Sequence, residues 1–510
     1  WFAEEKIDKE REVSQRSAMS VHGRVGRAWL PEVTIIAPND QASGERLSAS
    51  LESSIREQLS YVVGNLHGIE GGLSLHRAEI SDVLLIETLG DGQARYQYSA
   101  SFEAIISKTA GQGAAVIDQY QVILPERVNE AGLLAFFEAT SDDCTPNPHQ
   151  EYQVDHYWYY FRPLAYYCPL STAGAEEEFE ALLVNLYFEE EVTKDNKTSP
   201  HYDELWRDGK LEVTAVYALV GGLLAEQGQE AYQQVFEDLQ RTYGTPSYIQ
   251  DEALLNAQWL ETDTPVIHAT FDTPRGPLEV HLFLINSLDV PSHQEGDPLK
   301  DFHEEYKRLT QVSDLMIYNG HARYGSDNAK LDALGGATSN HYQLFFVNTC
   351  ASYTYGLPRY RGIYQEANLQ ADNPDAFLDL VLNAMPAMGH EIAYMNGRFI
   401  HALVEAEESY ESILSTLYPK QQMLVLPGGR GDQLKGDLAQ IEGESTSPWL
   451  VINKDEAGSG CDLTPFARSP FAKRGYLSSI LMWCFIAALF FCRARYLRSR
   501  IVKSALNINS

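Results

Sequence analysis

Apolar positions recur along this chain in two rhythms, one of mixed spacing and one of regular alternation between runs and amphipathic stretches. In the early part, short apolar runs predict strands at Val33–Ala37, Asp82–Thr88, Ala94–Ser99 and Tyr120–Leu124, and three-to-four spacing from Leu47 to Val63 predicts a helix. This pattern implies an α+β domain over 29–142. From Lys210 the alternation is that of an α/β domain, over 210–430. Leu211–Val220 reads as a strand, and Glu230–Tyr243 as a helix with Ala231, Val235, Phe236 and Leu239 on one face. The turn Asp272-Thr273-Pro274-Arg275-Gly276 joins strands at Pro265–Phe271 and Leu278–Ile285. Phe302–Leu309 predicts a short helix, Asp375–Met385 and Gly397–Leu417 predict longer ones, and Met423–Leu426 a last strand.

Between these elements lie segments of other character. Residues 1–28 are polar and charged. The stretch 143–209 reads as an aromatic connection in which Cys144 and Cys168 bracket Tyr157-Trp158-Tyr159-Tyr160-Phe161. In an oxidising compartment these cysteines would close a disulfide, and in a reducing one they stay as two thiols. A Gly/Ser/Asp-rich linker occupies 431–474, and an uncharged run centred on Tyr476–Cys492 predicts a single membrane-spanning helix over 475–493. Arg493, Arg495, Arg498, Arg500 and Lys503 follow it, so 494–510 is expected as a basic cytoplasmic tail with the acidic body outside the cytoplasm.

Charge narrows the function. With 39 basic against 71 acidic side chains the formal net charge of the 510 residues is −32, which repels a phosphate backbone and excludes nucleic acid as the expected partner. Six cysteines are too few for a disulfide framework. No His, Asp or Glu cluster has metal-ligand spacing in sequence, so no metal and no cofactor is expected.

The candidate chemistry sits at the ends of two strand-like runs. Leu315-Met316-Ile317-Tyr318-Asn319-Gly320 is followed by His321 and Ala322, and Tyr342-Gln343-Leu344-Phe345-Phe346-Val347-Asn348-Thr349 by Cys350. Neighbouring parallel strands release side chains at one edge of a sheet, where an imidazole can take the proton of a thiol. The separation, 350 − 321 = 29 residues, allows one strand-to-strand crossover. Asn319 and Asn348, each just before a dyad residue, are expected to tie the strand ends together.

An apolar strand ending in a His, followed by the next strand ending in a Cys, resembles the caspase-like cysteine peptidases, the clan of caspases, gingipains, legumain and clostripain. The resemblance covers roughly 210–430 and implies a three-layer α/β sandwich. It assigns His321 as general base and Cys350 as nucleophile, with an oxyanion hole from the Cys350 N–H and the loop at Gly320 and Ala322. The sequence departs from the clan in carrying Ala322 where a glycine usually follows the histidine. The implied activity is hydrolysis of a peptide or protein substrate through a thioester. The alternative it implies is an inactive envelope protein that acts as a surface binding or structural module. Separately, Gly460-Cys461 before the apolar run and basic cluster resembles the C-terminal sorting signals of bacterial surface proteins, which implies processing by a sortase-like membrane protease. The plainer alternative is a simple anchor helix. Both imply a cell-envelope location on the extracytoplasmic face.

Overall fold

A computed structural model describes residues 20, 22–39, 47–108, 117–145, 154, 157–172, 174–190, 199–218, 223–250, 266–285, 300–320, 322, 332, 335–370, 377–417 and 423–426. The chain divides into units Trp1–Leu450 and Val451–Ser510, and every described residue belongs to the first.

The strands, in chain order, are β1 (Gly23–Pro38), β2 (Gly71–Leu73), β3 (Glu79–Thr88), β4 (Gln93–Ser107), β5 (Ile117–Pro125), β6 (Ala181–Glu190), β7 (Leu211–Ala218), β8 (Tyr248–Gln250), β9 (Val266–Asp272), β10 (Pro277–Leu284), β11 (Leu315–Gly320), β12 (Gln343–Asn348), β13 (Leu378–Asn383) and β14 (Leu424–Val425). The helices are α1 (Ala49–His67), α2 (Glu130–Thr140), α3 (Tyr157–Tyr160), α4 (Tyr202–Leu205), α5 (Leu223–Tyr243), α6 (Lys300–Leu309), α7 (Ser352–Tyr355), α8 (Pro358–Ala367), α9 (Ile392–Glu405) and α10 (Tyr410–Leu417).

Two sheets result. The first is six-stranded and antiparallel, ordered β2-β4-β1-β6-β5 with β3 also on β4. Helix α1 covers it, started by Ser48, whose hydroxyl accepts from the Leu51 N–H. The second is eight-stranded, ordered β14-β13-β12-β11-β7-β10-β9-β8. Its centre, β13-β12-β11-β7-β10, is parallel, and the outer strands are antiparallel. Strands β11, β12 and β13 are buried along their whole length, as parallel strands covered on both faces must be. One face packs on α5, α9 and α10 through Val235, Leu239, Phe399 and Leu414, and the other on α6 and α8 through Phe302, Tyr306 and Tyr360.

Several expectations are corrected. The fold is a mixed α/β body in which both sheets belong to one unit, rather than a caspase-like three-layer sandwich preceded by a separate α+β domain. Among the described residues no helix is long and apolar enough to cross a membrane, and 475–493 lies outside them. The stretch 143–209 is not only a connection: it contributes β6, which hydrogen-bonds to both β1 and β5. The helix expected at Asp375–Met385 is strand β13, because Leu378-Asp379-Leu380-Val381-Leu382-Asn383 is buried at every position and has no polar face to give to water. The single helix expected at Gly397–Leu417 is two, α9 and α10, parted at Ala406, whose φ of 54° is left-handed.

Candidate functional site at the carboxyl edge of the parallel sheet

Cys350 leaves the sheet two residues past the end of β12, and β11 ends at Gly320, one residue before His321. The two strands are parallel neighbours with Asn319 opposite Asn348. His321 itself lies outside the described residues, as do Gly460 and Cys461. Gly320 is required by close approach: a Cβ there would stand 2.6 Å from the Tyr318 hydroxyl and 2.9 Å from the Ala218 carbonyl oxygen. Ala322 is buried.

Side-chain amides lock the strand ends. Asn383 Nδ2 donates to Asn348 Oδ1 at 3.0 Å, Asn348 Nδ2 donates to Asn319 Oδ1 at 3.0 Å, and Asn319 Nδ2 donates to the Val216 carbonyl at 3.4 Å. All three asparagines are buried, so this ladder ties β13, β12, β11 and β7 together where the sheet delivers its loops. Asn383 Nδ2 also donates to the Thr349 carbonyl at 3.1 Å. Ser352 Oγ donates to the Val347 carbonyl and accepts from the Asn383 N–H, both at 2.8 Å. The thiol's backbone is therefore clamped on both sides.

Directly after Cys350 the chain turns sharply. Ala351 adopts φ 49°, a left-handed conformation that costs a residue with a side chain about 1–2 kcal/mol, and α7 begins at the next residue. Gly356 ends α7 with φ 60° and ψ −163°, and a Cβ there would stand 2.3 Å from His76 Cε1. Burial, then the charges of Arg77 and Arg361, push the His76 pKa down to about 3, so this ring is neutral as it bonds to Thr354.

Much of the thiol's surroundings come from the first sheet and its helices. Ala351 belongs to that sheet's core, and Cys350 and Tyr355 pack against it. Tyr353 Oη donates to Glu103 Oε1 at 2.8 Å, and Glu103 Oε2 accepts from Arg77 at 2.8 Å. Helix α3 brings Tyr159 to the thiol; Gly64 in α1 lets it approach, because a Cβ there would stand 2.3 Å from the Trp158 carbonyl oxygen. Arg162 fixes the segment by donating to the carbonyls of Tyr159 at 2.8 Å and of Gly64 and Phe161 at 3.1 Å. The His67 ring meets Tyr159 edge-on at 5.2 Å, and burial followed by the Arg162 charge holds its pKa well below the ordinary value.

Cys350 is half-buried and, among the described residues, the cysteine outside a disulfide. Burial pushes its thiol pKa up, against hydrogen bonds from the Ala387 N–H, the Tyr159 hydroxyl and its own N–H that favour the thiolate. Cys144 and Cys168 are joined by a disulfide that closes the loop carrying α3. A cross-link over a separation of 24 residues stabilises by about 3 kcal/mol in the chain-entropy account.

Sequence reasoning missed Tyr159, His67 and the Ala387 N–H, since nothing local connects them to Cys350. It also missed Glu212, Glu279 and His281, which the structure gathers at the other edge of the sheet. The alternation Glu279-x-His281 marks one strand face, but Glu212 joins them only through the β7–β10 register. Compared with known proteins, the chain matches no family model and no curated protein sequence.

Proposed function

We propose that the chain is a cysteine-dependent peptidase, with Cys350 as nucleophile and His321 as general base. The observation that carries this reading is the parallel register of Asn319 with Asn348, which releases the segments bearing His321 and Cys350 from adjacent strands at one edge. The amide ladder and the clamp on Thr349 support it, because a nucleophile needs a fixed backbone to meet a carbonyl carbon.

In the proposed reaction His321 takes the thiol proton as sulfur bonds to the scissile carbonyl carbon. The oxyanion is met by the Cys350 N–H and the loop at Gly320 and Ala322. Collapse breaks the C–N bond, and the imidazolium gives its proton to the leaving amine. Water then hydrolyses the thioester and restores the thiol. The Cys144–Cys168 disulfide supports work in an oxidising, extracytoplasmic compartment.

One observation favours the second reading, an inactive surface binding or structural module: burial raises the thiol pKa, opposite to what an activated nucleophile needs. Labelling with a thiol-directed peptidyl probe separates the two. The peptidase reading expects Cys350-dependent labelling that falls at least a hundredfold in His321→Ala and vanishes in Cys350→Ala. Labelling indifferent to His321 rejects the dyad and leaves the binding module.

A further inference from the structure

The amino edge of the parallel sheet carries a second group of reactive side chains, at the opposite end of the strands from Cys350. Glu212 on β7 and Glu279 on β10 are register partners, and His281 follows Glu279 on the same face. One ligand atom from each of the three lies within 4.8 Å of the others. Two carboxylates side by side on adjacent strands repel, so this place attracts a cation. Lys210 answers with its ammonium, 2.9 Å from Glu212 Oε2 and 2.6 Å from Glu279 Oε2. Lys210 places its positive charge there on a partly exposed side chain.

The imidazole sets the chemistry of the cation. His281 Nε2 faces Glu212 Oε1 at 3.2 Å, and its other nitrogen, Nδ1, meets His268 Nδ1 on β9 at 2.6 Å. In the cation-free chain Nε2–H donates to Glu212; a metal would take the place of that proton at Nε2, with Nδ1–H then donating to His268 to hold the ligating tautomer. One nitrogen and two carboxylates make a three-ligand set with an open position, the donor set of zinc-class ions rather than of Mg²⁺ or Ca²⁺. A divalent ion neutralises both carboxylates, whereas lysine neutralises one. Among the described residues, other charges near the cluster include the Glu305–Arg308 pair of α6, Asp208, whose Oδ1 accepts from the Lys210 N–H at 3.3 Å, and Asp314, whose Oδ2 accepts from the Glu212 N–H at 2.7 Å.

We propose that Glu212, Glu279 and His281 bind a zinc-class divalent cation in competition with the Lys210 ammonium, with His268 orienting the ligating ring. The competing account is a closed ion network satisfied by lysine. Titration of the full, untagged chain with Co²⁺ distinguishes them, after its thiols are alkylated so that they cannot bind metal. The proposal expects one equivalent bound with visible bands of low symmetry, competed by Zn²⁺. Affinity should fall at least tenfold in Glu279→Gln, a partly exposed site that leaves the fold intact, and in His281→Ala, and rise at least tenfold in Lys210→Met. Circular dichroism checks each variant's fold. No stoichiometric binding in Lys210→Met, or an affinity unmoved by Glu279→Gln, overturns the proposal.

Discussion

Asp314 gives the sharpest test of how this sheet is held. Its carboxyl precedes β11, is 6% exposed and accepts the Glu212 N–H at 2.7 Å. Burial raises its pKa to about 8 despite that hydrogen bond, with the charges of Asp208 and Glu212 adding to the rise. The folded value thus lies far above the ordinary 3.8, so the folded state keeps a proton that the unfolded chain gives up. Below pH 3.8 both states are protonated and nothing is lost. Between 3.8 and 8 folding loses about 1.4 kcal/mol per pH unit, on the order of 5 kcal/mol by pH 8, and above 8 the loss is constant. Asp314→Asn keeps the shape and the acceptor oxygen but cannot ionise. Urea unfolding followed by tryptophan fluorescence should find the variant within about 1 kcal/mol of the parent at pH 3.5 and more stable by several kcal/mol at pH 8. Glu212 works with the opposite sign, since hydrogen bonds from His281 and Lys210 overcome its burial and hold it at about 2. Its stabilisation is present above its ordinary 4.5 and is lost as pH falls toward 2, and it largely cancels when parent and variant are compared. A stability difference that does not grow between pH 3.5 and pH 8 would refute the reasoning.

Two further substitutions test the frame of the candidate site. Asn348→Ala removes the central rung of the amide ladder and leaves Asn319 Oδ1 buried without its donor, which should cost about 2–4 kcal/mol in urea unfolding; a loss under about 0.5 kcal/mol would mean that the ladder does not hold the strand ends. Gly356→Ala places a methyl against the His76 ring at a left-handed φ, and should lower stability by about 2–4 kcal/mol in the same assay. His76→Ala in that background should recover part of the loss by making room for the methyl, and no recovery would place the cost in the backbone alone.

Local pattern made some of this molecule legible from the sequence and left the rest to tertiary contact. The uniformly apolar runs that became β11 and β12 could be read because strands buried on both faces need nothing but apolar side chains. Their polar ends marked where the sheet would release its loops, and the two asparagines before positions 321 and 350 carried the hint of a tie that the hydrogen bonds supply. The same logic failed for β13, because an apolar run bounded by polar residues fits a buried helix as well as a strand until its neighbour is known. It failed again for β6, whose place between β1 and β5 depends on partners far away in the chain. Nothing near Cys350 in sequence indicated that Tyr159 and Ala351 would set it against the core of the other sheet, nor could spacing show that Glu212 lies beside Glu279 and His281. Sequence determined which segments are buried wherever burial alone dictates composition. Strand order and register, which are properties of distant pairs, decided what surrounds the thiol and which charges meet.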